Sequence, residues 1–225
     1  MLSIPALCWL CRLPLQIARH GLCSRCVQQI PALPAICPCC ALPASGTGLC
    51  GRCLHRPPPW HSLTCVSDYL PPLSDWVIQL KFSRATALRV MLARLLLLKL
   101  LNSRRDNLFP RIDLVLSVPL HRRRAWQRGY NQAELLAKPL ARWLGCEYRA
   151  GVRRRRRGLV QHVLRASERK KNLRGAFSLE IPVCGRHILL IDDVVTTGST
   201  VAEISRILLA QGAASVHIGC LCRTL

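Results

Sequence analysis

The clearest pattern in the chain is the alternation of short apolar runs with amphipathic stretches after residue 111. The run DLVLSVPL reads as a buried strand that stops at Pro119, and NQAELLAKPLARWLG reads as a helix ending at Gly145, with Pro139 a candidate kink. EYRAGVRRRRR reads as a strand feeding a basic loop, and RHILLIDD is a continuous apolar run of the kind buried on both faces of a sheet. STVAEISRILLAQG places Val201, Ile204 and Leu208 on one helical face, with Gly212 as its stop, and SVHIGCLC closes as a strand. Strands alternating with helices in this way predict an α/β fold, a parallel sheet with flanking helices.

Upstream the pattern changes. VSDYLPPLSDWVIQLKF leads into a helix with Leu73, Trp76, Val77 and Leu80 at helical spacing, and a second helix is expected from about Thr86 to Leu101. The apolar run Leu88 to Leu101 carries Arg89, Arg94 and Lys99 and is too short to span a bilayer, so it reads as a core helix. Residues before it are rich in Pro, Gly and Cys and end in Pro57-Pro58-Pro59, which suits a small loop-rich unit stapled by metal. The expected organisation is a double zinc-ribbon-like module over residues 1–64, a helical linker or hood over 65–110, and the α/β domain over 111–225.

The cysteines sharpen the first unit. Of 14 in the chain, eight form four Cys-x-x-Cys pairs: Cys8/Cys11, Cys23/Cys26, Cys37/Cys40 and Cys50/Cys53. Two thiolates on a tight turn hold one face of a tetrahedral zinc, and a second such turn completes it, so four pairs can close two structural sites. Sequential and interleaved pairing both fit the spacing. Cys39 could replace a neighbour, and His20, His55 and His61 are further possible ligands. Met1 to Leu15 lacks a basic start ahead of an apolar stretch, so no secretory signal is expected. The expected location is cytoplasmic, where thiols stay reduced. Sites closed by four cysteines leave no open position for water, which argues against a zinc hydrolase or nuclease.

Charge points to a polyanionic partner. The net charge is +22, with dense runs at Arg122-Arg123-Arg124 and Arg153 to Arg157. Against that background the stretch ILLIDDVVTTGST stands out, because it sets two carboxylates, Asp192 and Asp193, at the tip of the most apolar strand. Ligands of parallel sheets bind at the carboxyl ends of the strands. The following loop, Thr196-Thr197-Gly198-Ser199-Thr200, runs into a helix N-terminus, where free N–H groups, hydroxyls and a close-approach glycine cradle a phosphate. Carboxylates beside it can accept hydrogen bonds from a diol. The combination describes a site for a ribose 5′-phosphate.

Those thirteen residues resemble the binding signature of type I phosphoribosyltransferases for 5-phosphoribosyl-1-pyrophosphate (PRPP). The resemblance implies a type I phosphoribosyltransferase-like sheet, Asp192 and Asp193 on the ribose hydroxyls, Thr196 to Thr200 on the 5′-phosphate, and magnesium carried on the pyrophosphate. A second resemblance spans nearly the whole chain. The four cysteine pairs, QLKFSR, SVPLHRRRAWQRGYNQAELLA and a later basic segment with Gln161, Leu164, Arg169 and Asn172 are together similar to the ComF/GntX family. That family is linked to competence and to the use of external DNA as a nutrient. Gly158 stands where its pattern usually has threonine.

The family pattern implies pyrophosphate or phosphate contacts near Arg124, Arg128, Gly129, Tyr130, Asn131 and Arg169, with Arg122, Arg123 and Lys170 adding charge. On the residues alone, Tyr130 and Asn131 can equally be a packing residue and an N-cap at a helix start. No residue stands out as a general base for a nucleobase. Two functions follow as expectations. The preferred one is a competence-type protein that binds PRPP or a nucleotide, contacts single-stranded DNA, and works with a helicase or other DNA-processing partner. The alternative is an active magnesium-dependent nucleobase phosphoribosyltransferase.

Overall fold

The computed structural model describes residues 6–46, 48–83, 85–105, 110–120, 126–155 and 175–224. Its centre is a parallel sheet built from β1 (Ser62–Asp68), β2 (Leu114–Ser117), β3 (Glu147–Arg149), β6 (His187–Ile191) and β8 (Ser215–Arg223), in the order β1-β8-β6-β2-β3. A short strand β7 (Val194–Val195) adds to the far end of β8. Strands β4 (Val152–Arg154) and β5 (Phe177–Leu179) form a separate antiparallel pair.

Alternate side chains of the central strands enter two cores, as the period of two requires. Leu189 and Ile191 of β6 join one core with α3 (Leu73–Phe82), α4 (Leu88–Arg105) and α5 (Gln132–Leu144). Ile188 and Leu190 join the other, under α6 (Ser199–Ala210). Burial on both faces is why this strand is a continuous apolar run rather than an alternating one.

Helix α5 begins at Asn131, whose side chain accepts the Ala133 N–H, and ends at Gly145 in the left-handed region. It continues through Pro139 as a single helix. Helix α4 runs on to Arg105, beyond the expected end at Leu101, and Ser103 in this added turn lies 3.2 Å from the Thr64 hydroxyl. Among the described residues no helix is long and apolar enough to cross a membrane.

The sequence pattern did not announce β1. Its Ser62, Thr64 and Ser67 are buried, and each is hydrogen-bonded: to His217 at 2.7 Å, to Ser103, and to the Pro31 carbonyl at 3.0 Å. Paired polar groups can be buried at little net cost, so they hide a strand from a hydrophobicity reading. Residue 64, the expected edge of the first module, lies inside this strand. The expected linker over 65–110 holds the rest of β1 together with α3 and α4, whose apolar faces form one side of the sheet's core.

The cysteine-rich segment, which holds the short helices α1 (Ser24–Gln28) and α2 (Gly51–His55), divides between the two faces. Cys8, Leu22 and Cys26 belong to the core on the α4 side, whereas Ala41, with Ile36 and Trp60 against it, belongs to the core on the α6 side.

Candidate functional site

Strand β6 ends at Ile191, and the backbone stays in register for two more residues. The Asp192 N–H donates to Gly219 at 3.0 Å, and the Asp193 carbonyl accepts from Leu221 at 3.0 Å. Both carboxylates therefore leave from a fixed backbone at the carboxyl end of the sheet. Asp192 Oδ1 accepts the Asp193 N–H at 2.9 Å, and Asp193 Oδ1 accepts the Val194 N–H at 2.7 Å. The second oxygen of Asp193 meets Lys81 Nζ, from α3, at 3.1 Å. Burial and the adjacent Asp193 carboxylate push the Asp192 carboxyl well above its usual range, a rise opposed in part by the Asp193 N–H and by Lys81.

Beyond β7 the chain turns through Thr196 and Thr197 to Gly198, which holds φ at 75° as the N-cap of α6. The glycine cap brings no side chain of its own to the first N–H groups, of which Ser199 N–H lies 3.4 Å from Thr197 Oγ1, and the helix dipole there favours an anion. The Thr197 and Ser199 hydroxyls are 2.8 Å apart and line the same turn. Asp192, Asp193, Thr196, Thr200, Lys81 and Arg128 face one cavity of about 390 Å³. Two acids beside a helix N-terminus and two cations can hold a hydroxyl-rich group that also carries phosphate.

The structure separates the other expected site residues by task. Arg128 faces the cavity, held by Gln132 Oε1 at 3.1 Å and stacked 4.8 Å over the Phe82 ring. Gly129 supplies a left-handed turn at φ 78°. Tyr130 donates its hydroxyl hydrogen to the Leu80 carbonyl at 2.6 Å, and Asn131 caps α5 while donating to the Val118 carbonyl at 3.0 Å. These two brace the loop around Arg128. Arg122, Arg123, Arg124, Gly158, Gln161, Leu164, Arg169, Lys170 and Asn172 lie outside the described residues.

Sequence reading passed over Tyr69 and Thr224, which also line the cavity, took Arg154 only as part of the basic run Arg153 to Arg157, and gave Lys81 no role. For Lys81 a signal existed: it is a cation in QLKFSR, one turn past the buried Val77.

The cysteine pairs join sequentially. Cys8, Cys11, Cys23 and Cys26 form one group, and Cys37, Cys40, Cys50 and Cys53 form a second, with all sulfurs of a group within 4.8 Å of one another. Zinc–sulfur bonds of about 2.3 Å in a tetrahedron require sulfurs about 3.8 Å apart. Cys11 and Cys23 are 3.8 Å apart and Cys40 and Cys50 are 3.7 Å apart, so both groups fit zinc. Burial raises the Cys8 and Cys37 thiols, but backbone N–H donors outweigh it and bring them to about 6 and about 7. The Cys23 and Cys50 N–H groups, each 3.4 Å from one of these sulfurs, are among those donors. Cys39 stands outside the second group. Its Sγ points to the Trp60 carbonyl at 3.9 Å, and burial pushes its thiol up to about 11.

The family described as Phosphoribosyl transferase domain matches residues 131–225. DNA utilization protein YhgH of Escherichia coli strain K12 is 52% identical over 227 residues, covering 100% of both chains. Competence protein F of Haemophilus influenzae is 37% identical over 222 residues, 96% of each chain. Among solved structures, the glutamine PRPP amidotransferase of B. subtilis is 22% identical, with a TM-score of 0.37, covering 56% of this chain and 24% of that one. With relatives matched along its whole length at such identity, the chain belongs to the family of DNA utilization protein YhgH and competence protein F.

Proposed function

We propose that this protein serves the use or uptake of external DNA, as the names of its relatives suggest, and that its cavity binds PRPP or a nucleotide. One observation carries the ligand reading: Asp192 and Asp193 share a cavity with Thr196, with Thr200 in the first turn of α6, and with Lys81 and Arg128. The acids accept the ribose hydroxyls, the loop from Thr196 to Thr200 takes the 5′-phosphate, and magnesium arrives with the pyrophosphate. Arg128 supplies charge where the pyrophosphate would lie. Single-stranded DNA is the polyanion that the charge of +22 suits, with phosphates as the main contacts. The two four-cysteine groups hold structural zinc.

Calorimetric titration of PRPP with magnesium, run with and without single-stranded DNA, tests the reading. The expected result is saturable PRPP binding that Asp193→Asn abolishes, and DNA binding that falls steeply with salt. Absence of any PRPP heat would overturn the ligand assignment, and DNA affinity indifferent to salt would overturn the DNA assignment. Pyrophosphate release on adding a nucleobase would instead mark an active transferase.

A further inference from the structure

The turn Cys37-Pro38-Cys39-Cys40 has all four of its carbonyls engaged, and three of them bond outside the turn. Cys37 accepts from Ala41 at 2.8 Å, within the turn's own continuation. Pro38 accepts the Leu63 N–H of β1 at 3.0 Å, Cys39 accepts Trp60 Nε1 at 2.7 Å, and Cys40 accepts Arg223 Nε at 3.2 Å. Trp60 and Arg223 also touch the phosphate loop.

Arg223 is 6% exposed. Its Nη1 donates to the carbonyls of Val195, at 2.9 Å, and of Thr196. A buried guanidinium with its donors spent on carbonyls fixes the backbone that supplies them, because leaving those donors unpaired is expensive. Trp60 lies against Gly198 itself: a Cβ added there would sit 3.1 Å from Cη2 of the indole. The loop thus rests on two side chains, and both are anchored in the metal turn.

From this geometry we infer that the Cys37/Cys40/Cys50/Cys53 site positions the phosphate loop through Trp60 and Arg223. Its metal occupancy and the binding of a phosphate-bearing ligand are therefore coupled. The inference rests on the reading of that loop as the seat of a 5′-phosphate. The Cys8/Cys11/Cys23/Cys26 site has a different attachment, with Gly21 packed on Met91 of α4, and carries no such coupling. Trp60 and Arg223 are positioning residues: they act on the ligand through the loop.

Coupling is reciprocal, so it can be read from the metal side. The full-length zinc protein would be exposed to a chelator and an alkylating reagent, with and without saturating PRPP and magnesium, and the modified cysteines mapped by mass spectrometry. PRPP is expected to slow modification of Cys37, Cys40, Cys50 and Cys53 by about fivefold or more and to leave Cys8, Cys11, Cys23 and Cys26 unchanged. Trp60→Phe loses the bond to Cys39 together with the outer edge of the indole that meets Gly198, and Arg223→Lys keeps the charge but loses the fork. Each should retain two zinc ions per chain, weaken PRPP binding roughly fivefold, and shrink the selective protection. Should Arg223→Lys fail to fold, Trp60→Phe decides alone. Equal protection of both sites, or wild-type affinity in Trp60→Phe, overturns the inference while PRPP binding stands. Failure of the wild-type protein to bind PRPP removes the ligand reading and the inference together.

Discussion

The two four-cysteine groups share Cys-x-x-Cys pairs, sulfur geometry and an N–H donor on the leading thiol, yet they are attached to different things. The first is built into the core of α3, α4 and α5, and its Cys8 and Cys26 are buried there. The second keeps its sulfurs in a cluster of their own and sends its backbone carbonyls to the residues beneath the phosphate loop. Metal ligands alone do not define a metal site's role. Its outward hydrogen bonds and packing do, and here they assign one site to the helices and the other to the loop.

The largest effects separate the two directly. A structural zinc contributes roughly 10–16 kcal/mol in small peptides at neutral pH, so loss of either site should be severe. Cys8→Ser and Cys37→Ser should each leave one zinc per chain by elemental analysis. Hydrogen exchange should then show lost protection in α4 for Cys8→Ser, and in the segment from Val195 to Thr200 for Cys37→Ser. The same segments loosening in both variants would collapse the distinction.

Two glycines repeat the contrast at smaller scale. Gly21 and Gly198 both hold left-handed backbone, at φ 69° and 75°. Alanine costs about 1–2 kcal/mol there from backbone strain alone. An added Cβ at Gly21 would come 2.8 Å from Met91 Cβ, so Gly21→Ala should lower the melting temperature and leave PRPP affinity untouched. Gly198→Ala should weaken PRPP binding at least tenfold with the smaller loss of stability, since the tryptophan it meets is only partly buried. Melting curves and titrations of the pair decide it.

The smallest expected change runs in opposite directions for fold and ligand. The raised Asp192 pKa means that the folded state holds a proton over a window where the unfolded chain, titrating near 3.9, has lost it. Stability therefore falls as pH rises through that window. Asp192→Asn should flatten this slope and raise the melting temperature of the ligand-free protein by a few degrees. Affinity for PRPP should fall in the same variant, because the carboxylate is what accepts from the ribose. In the wild type that affinity should fade as pH drops through the raised Asp192 value. A variant less stable than wild type at neutral pH would count against the strained-pair account.

How much the sequence revealed follows from which residues carry local information. β6, the acidic pair, the hydroxyl-rich loop and α6 are contiguous, so their pattern and their chemistry appear together in ILLIDDVVTTGST. The parallel sheet with flanking helices is legible for the same reason. Lys81 and Tyr69 are distant in sequence from that stretch, and Arg223 lies one residue past the expected strand SVHIGCLC; they reach the site only through the order β1-β8-β6. Cysteine spacing allowed sequential and interleaved pairing alike, and only the folded turns distinguish them. Tyr130 and Asn131 show the reverse problem: a dense motif whose side chains brace a loop while Arg128 faces the cavity.

The pairing of β1 with β8 also has a consequence for synthesis. Ser62 and its partner His217 are 155 residues apart, so β1 leaves the ribosome long before the strand that will cover it. Through that interval it is an unpaired edge, the kind of segment that recruits other chains. Its sequence, SLTCVSD, is poorly suited to do so: three hydroxyl residues and an aspartate interrupt the apolar positions. The same serines and threonine that obscure the strand in a hydrophobicity plot keep it wettable while it waits, although of the three only Ser62 finds its partner on β8.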